Sequence, residues 1–201
     1  MKNIVLASKS IDRNLLFKLA KLNFEVVITI VDEDKYKAQI SNPIELVKKI
    51  AEEKVLNAKK SLNKEGKDAI IIAADTIVEI NGEIIGKAKN ENQAFQILKK
   101  LVGKTHNLLT GLAITETNSS KLIIDYDSTS VKFLTLSDED ICDYIKSKEW
   151  IGRAGAYSIR EKASLLIEAI QGSSTNVIGL PMHKVYEILK NEFAINLLKN
   201  F

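Results

Sequence analysis

Lysine and arginine together number 29 in this chain, yet only three are arginine: Arg13, Arg153 and Arg160. A planar guanidinium grips a phosphate or carboxylate through two parallel hydrogen bonds, which an ammonium cannot do. Arg13 closes the segment Leu6-Ala7-Ser8-Lys9-Ser10-Ile11-Asp12-Arg13, and Arg153 and Arg160 bracket Ala154-Gly155-Ala156-Tyr157-Ser158-Ile159. Taken together, the two segments suit the walls of one anion site; taken apart, the same arginines make ordinary surface ion pairs. Asp75-Thr76 follows the apolar run Ala69 to Ala74, and an acid at the carboxyl end of a central strand is well placed for chemistry. With Arg13, Lys54 and Lys87 as neighbours, Asp75 is expected to be a carboxylate able to hold a divalent metal or orient a water. A carboxylate with a pKa of about 4 is a weak base at neutrality, and a metal that acidifies bound water covers the gap. The chemistry that fits is metal-assisted attack of water on a phosphoryl group. The plainer alternative for Asp75-Thr76 is a strand-end turn whose aspartate bonds nearby amides.

The elements that must position these residues follow from hydrophobic spacing. Asn3 to Ala7 reads as a buried strand, and Ile11, Leu15, Leu16, Leu19 and Leu22 set helical spacing after Ser8-Lys9-Ser10. Phe24 to Ile30 reads as a second strand closed by the carboxylates of Asp32, Glu33 and Asp34. Asn42-Pro43-Ile44-Glu45 starts a helix expected to reach about Ser61, with Ile44, Val47, Ile50, Ala51, Val55 and Ala58 inward. Lys54 projects between the directions of Ile50 and Val47. Either its stem snorkels along the core edge or its ammonium reaches a buried cleft.

Asn81-Gly82 between Ile77 to Ile80 and Glu83 to Ile85 predicts a hairpin, which brings Gly86-Lys87 toward Asp75-Thr76. A helix from Asn90 ends at Gly103, two longer strands cover Thr105 to Thr115 and Lys121 to Leu134, and Ser137 caps a further helix. Cys142 is expected on that helix's inner face. Leu165 to Ile170 reads as a strand, and Gly179-Leu180-Pro181 introduces a last helix through Val185, Ile188 and Leu189.

Composition narrows the class. With 45% hydrophobic and 27% charged residues the chain is ordinarily globular, and 201 residues suggest a single domain. The net charge of +3 is spread out, which argues against nucleic acid as a partner. One cysteine rules out an internal disulfide, no apolar run spans a bilayer, and no leader is apparent, so a cytoplasmic protein is expected. Neither His106 nor His183 has a second histidine at metal-ligand spacing, and neither GxxxxGK[ST] nor GxGxxG occurs, which counts against ATPase motors and dehydrogenases.

From Ile4 to Leu189 the motifs resemble those of the Maf family of nucleoside triphosphate pyrophosphatases. Its LASxSPRR is matched by Leu6 to Arg13, its VDE by Val31-Asp32-Glu33, and its lysine-bearing helix by Ala51-Glu52-Glu53-Lys54. Its ADT falls on Ala74-Asp75-Thr76, its GKP on Gly86-Lys87-Ala88, and its GKTH and TGLAI on Gly103 to His106 and Thr110 to Ile114. Its KAGAYGIQ is similar to Arg153 to Arg160, and its NVxGLP to Asn176 to Pro181. The resemblance implies an elongated mixed sheet flanked by helices, two lobes around a cleft, like the inosine triphosphate pyrophosphatases. It further implies hydrolysis between the α and β phosphates with Mg²⁺, Mn²⁺ or Co²⁺, Asp75 as proton acceptor, and Ser8, Arg13, Lys54 and Lys87 on the phosphates. Asp75 and Glu33 would hold the metal, and a homodimer is common in the family.

Three positions linked to base choice in the pyrimidine-preferring branch fall on Asp12, Thr76 and Arg160, and only Thr76 keeps the family's residue. The exchange of charge at 12 and 160 implies a base preference altered from dTTP and UTP, with the two side chains pairing or reading a different base edge. Because family members are also associated with arrest of septum formation, a nucleotide-binding regulator with little turnover is the alternative function.

Overall fold

The computed structural model describes residues 2–199 as an α/β fold with a mixed sheet. Strand β1 (Asn3–Leu6) leads into α1 (Ile11–Leu19), whose N-cap is Ser10, and then into the short β2 (Glu25–Val26). Helix α2 (Glu33–Gln39) precedes the long α3 (Pro43–Lys64), where the Asn42 side chain accepts the N–H groups of Ile44 and Glu45. Strands β3 (Ala69–Ile80) and β4 (Glu83–Ile85) form a hairpin around Asn81-Gly82, followed by α4 (Glu91–Leu101). Strands β5 (Thr105–Glu116) and β6 (Leu122–Phe133) lead to α5 (Asp138–Lys146), β7 (Ile167–Gln171), the short α6 (Ser174–Ile178) and α7 (Met182–Phe193). No helix among the described residues is long and apolar enough to cross a membrane.

The chain divides into two compact units, one comprising residues 2–75, 110–127 and 179–199, the other residues 76–109 and 128–178. In the first, the strand order is β2-β1-β3-β5-β6, with β1 parallel to both β2 and β3. Its core sets Ala51, Val55, Ala58 and Leu62 of α3 against Val5, Ile71, Ala73 and Ala113. The small side chains let helix and sheet approach closely. At Gly111 of β5 an added Cβ would lie 2.2 Å from the Val47 carbonyl oxygen, so the backbone of α3 rests directly on the strand.

In the second unit the order is β4-β3-β5-β6-β7, and β4 and β7 run antiparallel to their neighbours. Helices α4 and α5 cover it, contributing Ala94, Leu98, Leu101, Ile141, Tyr144 and Ile145 to a core that includes Val78, Phe133 and Tyr157.

Four expectations change. Only Glu25–Val26 of the second strand is paired, because β1 ends at Leu6; beyond it Ile28 and Ile30 are 69% and 87% exposed. The three carboxylates at 32–34 begin a helix, with Asp32 as its cap, since negative charge is favoured at a helix N-terminus. Asp75 lies within β3 rather than at its end, because Ile77 to Ile80 carry the same strand on to pair with β4. Cys142 is exposed: α5 buries Ile141, Tyr144 and Ile145, and the residue after Ile141 turns outward.

Candidate active site

Asp75 arrives on the most buried strand of the chain and is itself only 7% exposed. Such an acid needs a partner, and α3 supplies it: the Lys54 ammonium donates to Asp75 Oδ1 at 2.7 Å. The same nitrogen lies 2.8 Å from Glu33 Oε1, with the Lys54 side chain 13% exposed and that of Glu33 27%. The close seating of α3 on β5 sets the direction of Lys54, and the Asp32 cap, which accepts the N–H of Lys35 at 3.1 Å, sets the first turn carrying Glu33. Lys54 therefore does not snorkel into solvent. It ties two carboxylates from different elements to one point.

Arg13 is brought to the same group by the turn between β1 and α1. The Ser10 side chain accepts the Arg13 N–H, the Arg13 Nε donates to the Gly179 carbonyl at 2.7 Å, and an Nη1 lies 3.5 Å from the Ser8 hydroxyl. Ser8 Oγ also accepts the N–H of Ser10 at 3.1 Å. Burial lowers the Arg13 pKa, while the charges of Asp75, Glu33 and Asp12 oppose that shift, in that order. The guanidinium stays charged in any case. Asp75 is thus not a lone acid ringed by cations. Lys54 pairs with both Asp75 and Glu33, and the charges of Asp75, Glu33 and Asp12 act on Arg13, so carboxylates and cations are interleaved in this unit.

A sequence profile described as Maf-like protein matches residues 3–192. The chain belongs to the Maf-like family. Among its relatives, a dTTP/UTP pyrophosphatase of Alkaliphilus oremlandii (strain OhILAs) is 44% identical over 198 residues, covering 98% of this chain and 100% of the relative. Proteins with the same name from Thermoanaerobacter sp. (strain X514) and Clostridioides difficile (strain 630) are 40% and 37% identical, each over 97% of this chain and 99% and 97% of their own length.

In this Maf-like chain Ser8, Asp12, Arg13, Glu33, Lys54 and Asp75 belong to the first unit, and the structure brings Ser8, Arg13, Glu33, Lys54 and Asp75 together there. Thr76, Lys87 and Arg160 belong to the second unit. Thr76 leaves β3 on the face opposite to Asp75 because strand side chains alternate. Lys87 is exposed, and its backbone forms an antiparallel bridge with Ala154. Arg153 pairs with Glu161 at 3.3 Å. The Gly179 carbonyl as a seat for Arg13 was not foreseen from sequence; the Asn176 to Pro181 motif is the signal that marks it. His106, set aside for want of a second histidine, is buried with Nε2 2.9 Å from the Tyr157 hydroxyl.

Proposed function

We propose that this chain is a nucleoside triphosphate pyrophosphatase that splits its substrate into the monophosphate and pyrophosphate. The observation that carries this function is the Lys54 ammonium holding the Asp75 and Glu33 carboxylates together beside Arg13. The chain also aligns over nearly its full length with relatives named dTTP/UTP pyrophosphatase. Asp75 is assigned as proton acceptor: held at Oδ1 by Lys54, it takes a proton from water at Oδ2 as the water oxygen bonds to phosphorus and the bridging P–O bond breaks. The leaving pyrophosphate carries the electron pair of that bond. Arg13 is assigned to grip phosphate oxygens with its fork, Ser8 to donate its hydroxyl to them, and Lys54 and Lys87 to place point charges against them.

Glu33 and Asp75 fit a divalent cation that enters with the substrate. Among the described residues no three acidic, histidine or cysteine side chains form a cage, and two carboxylates plus phosphate oxygens are the donor set that Mg²⁺ commonly takes. When bound, such an ion (Mg²⁺, Mn²⁺ or Co²⁺) would screen the phosphates and lower the pKa of a coordinated water. It would also set positive charge against the Asp75 and Glu33 carboxylates.

Base choice is assigned to Asp12, Thr76 and Arg160, where the carboxylate at 12 and the guanidinium at 160 shift preference away from dTTP and UTP. Pyrophosphate release from a panel of triphosphates with each metal tests the assignment. Wild type should release pyrophosphate, and Asp75→Asn should be slower by about a hundredfold or more. Release of orthophosphate, no release at all, or an unimpaired Asp75→Asn enzyme would refute the function. The exchange Asp12→Arg with Arg160→Gln should move preference toward dTTP and UTP; an unmoved profile refutes the specificity assignment alone.

A further inference from the structure

A buried polar contact of the second unit, between His106 and Tyr157, has no part in the chemistry above. His106 of β5 is 1% exposed, and its Nε2 lies 2.9 Å from the Tyr157 hydroxyl, itself on a buried ring. Phe133 completes the group, with edge-to-face centroid separations of 5.0 Å to His106 and 4.8 Å to Tyr157. The hydrogen bond and the edge-to-face contacts fix the two rings against each other, although His106 Nδ1 is buried without a hydrogen-bond partner.

What these rings adjoin is a backbone in an uncommon conformation. Gly155 and Ala156, immediately before Tyr157, have φ of +70° and +59°, and alanine adopts such a φ only where its surroundings impose it. An added Cβ at Gly155 would lie 2.8 Å from Val78 Cγ2 and 3.1 Å from the Tyr157 ring, so this stretch lies directly on β3. On its other side Ala154 forms the bridge to Lys87, and Gly155 donates its N–H to the Gly86 carbonyl at 3.3 Å. Lys87 is exposed and follows the end of β4, and this bridge ties its backbone to Ala154 beyond the hairpin. The chain of contacts runs from His106 to Tyr157, through Ala156 and Gly155, to Gly86-Lys87.

We propose that His106 and Tyr157 are positioning residues that hold the segment Ala154 to Tyr157 in its left-handed turn and thereby set Lys87 in place to meet a polyphosphate. This rests on the phosphate role assigned to Lys87 under the proposed function. Neither ring touches substrate. Their loss should weaken phosphate capture while leaving the Asp75, Lys54 and Glu33 group of the first unit able to turn over what does bind.

The test uses Tyr157→Phe, which keeps the ring and removes only the hydroxyl, with His106→Leu, His106→Gln, Lys87→Met and the double variant Tyr157→Phe/Lys87→Met. Two quantities are read with Mg²⁺ present: KM and kcat for UTP, and the Kd of inorganic tripolyphosphate. Thermal midpoints confirm that each protein is folded. Tyr157→Phe and His106→Leu should raise KM and the tripolyphosphate Kd about five- to tenfold, the scale of one net hydrogen bond, with kcat within about twofold. His106→Gln, whose amide can meet the hydroxyl, should recover most of the affinity. The double variant should be no worse than Lys87→Met, because both changes act on one group. Unchanged KM and Kd in Tyr157→Phe, effects that multiply with Lys87→Met, or failure of the wild type to bind tripolyphosphate would overturn the proposal. Failure to hydrolyse UTP while tripolyphosphate is bound would count against the pyrophosphatase function only, and the Kd comparison would still decide the positioning role.

Discussion

Acid should weaken this fold through His106 by an amount set by its burial. The imidazole sits in the core of the second unit beside Phe133 and Tyr157, and burial pushes its pKa down to about 4 from an ordinary value of about 6.5. In the unfolded chain the same ring takes a proton as pH falls through about 6.5, while in the folded chain it stays neutral until about 4. Between those limits the unfolded state binds more protons, so stability falls with falling pH and stops falling once both states are protonated. At 1.36 kcal/mol per pH unit, the full interval removes about 3 kcal/mol. For a chain of this size that is roughly 6–12 °C in Tm. Other groups also contribute to acid sensitivity, so the measurement is a difference: urea unfolding of wild type and His106→Gln at steps from pH 7.5 to 4. The variant is less stable or equal at neutrality, and the gap should move by about 3 kcal/mol in its favour toward pH 4. A gap that stays constant over the whole range would refute the claim that His106 is held neutral by burial.

Two substitutions probe the first unit. Lys54→Met leaves the Asp75 and Glu33 carboxylates without their shared ammonium; it should cost about 3 kcal/mol, and urea unfolding curves check this. A loss under about 0.5 kcal/mol would argue against the shared ion pair. Gly111→Ala puts a methyl 2.2 Å from the Val47 carbonyl oxygen, forcing α3 off β5, and should lower stability by about 3 kcal/mol in a thermal melt; a change under about 0.5 kcal/mol would mean that helix and strand are not in direct backbone contact.

Much of this architecture was legible because it depends on local periodicity. The α3 start at Asn42-Pro43, the Asn81-Gly82 hairpin, the Ser137 cap and the buried run Ala69 to Ala74 all appear where residue pattern places them. The misreadings share a cause. Phe24 to Ile30 has the composition of a strand, but a strand exists only as far as its neighbour does, and β1 stops at Leu6. Asp75 looked like a strand end because polarity usually marks one; its ion pair with Lys54 lets the strand continue through a buried charge. Cys142 was misplaced by one residue of helical rotation, about 100°.

By itself the order of residues marked most of the secondary elements and the family, and pointed to groups suited to phosphate chemistry, because capping, turn preference and side-chain chemistry act over a few neighbours. Only the tertiary structure decided that Lys54 serves Asp75 and Glu33 at once, that Arg13 leans on the Gly179 carbonyl, and that His106 meets the Tyr157 hydroxyl in the core. Each of these pairs residues 21 or more positions apart, 166 in the case of Arg13 and Gly179. Partner choice at that separation is set by which strands lie side by side and how closely a helix can seat on them, and no local pattern carries that information.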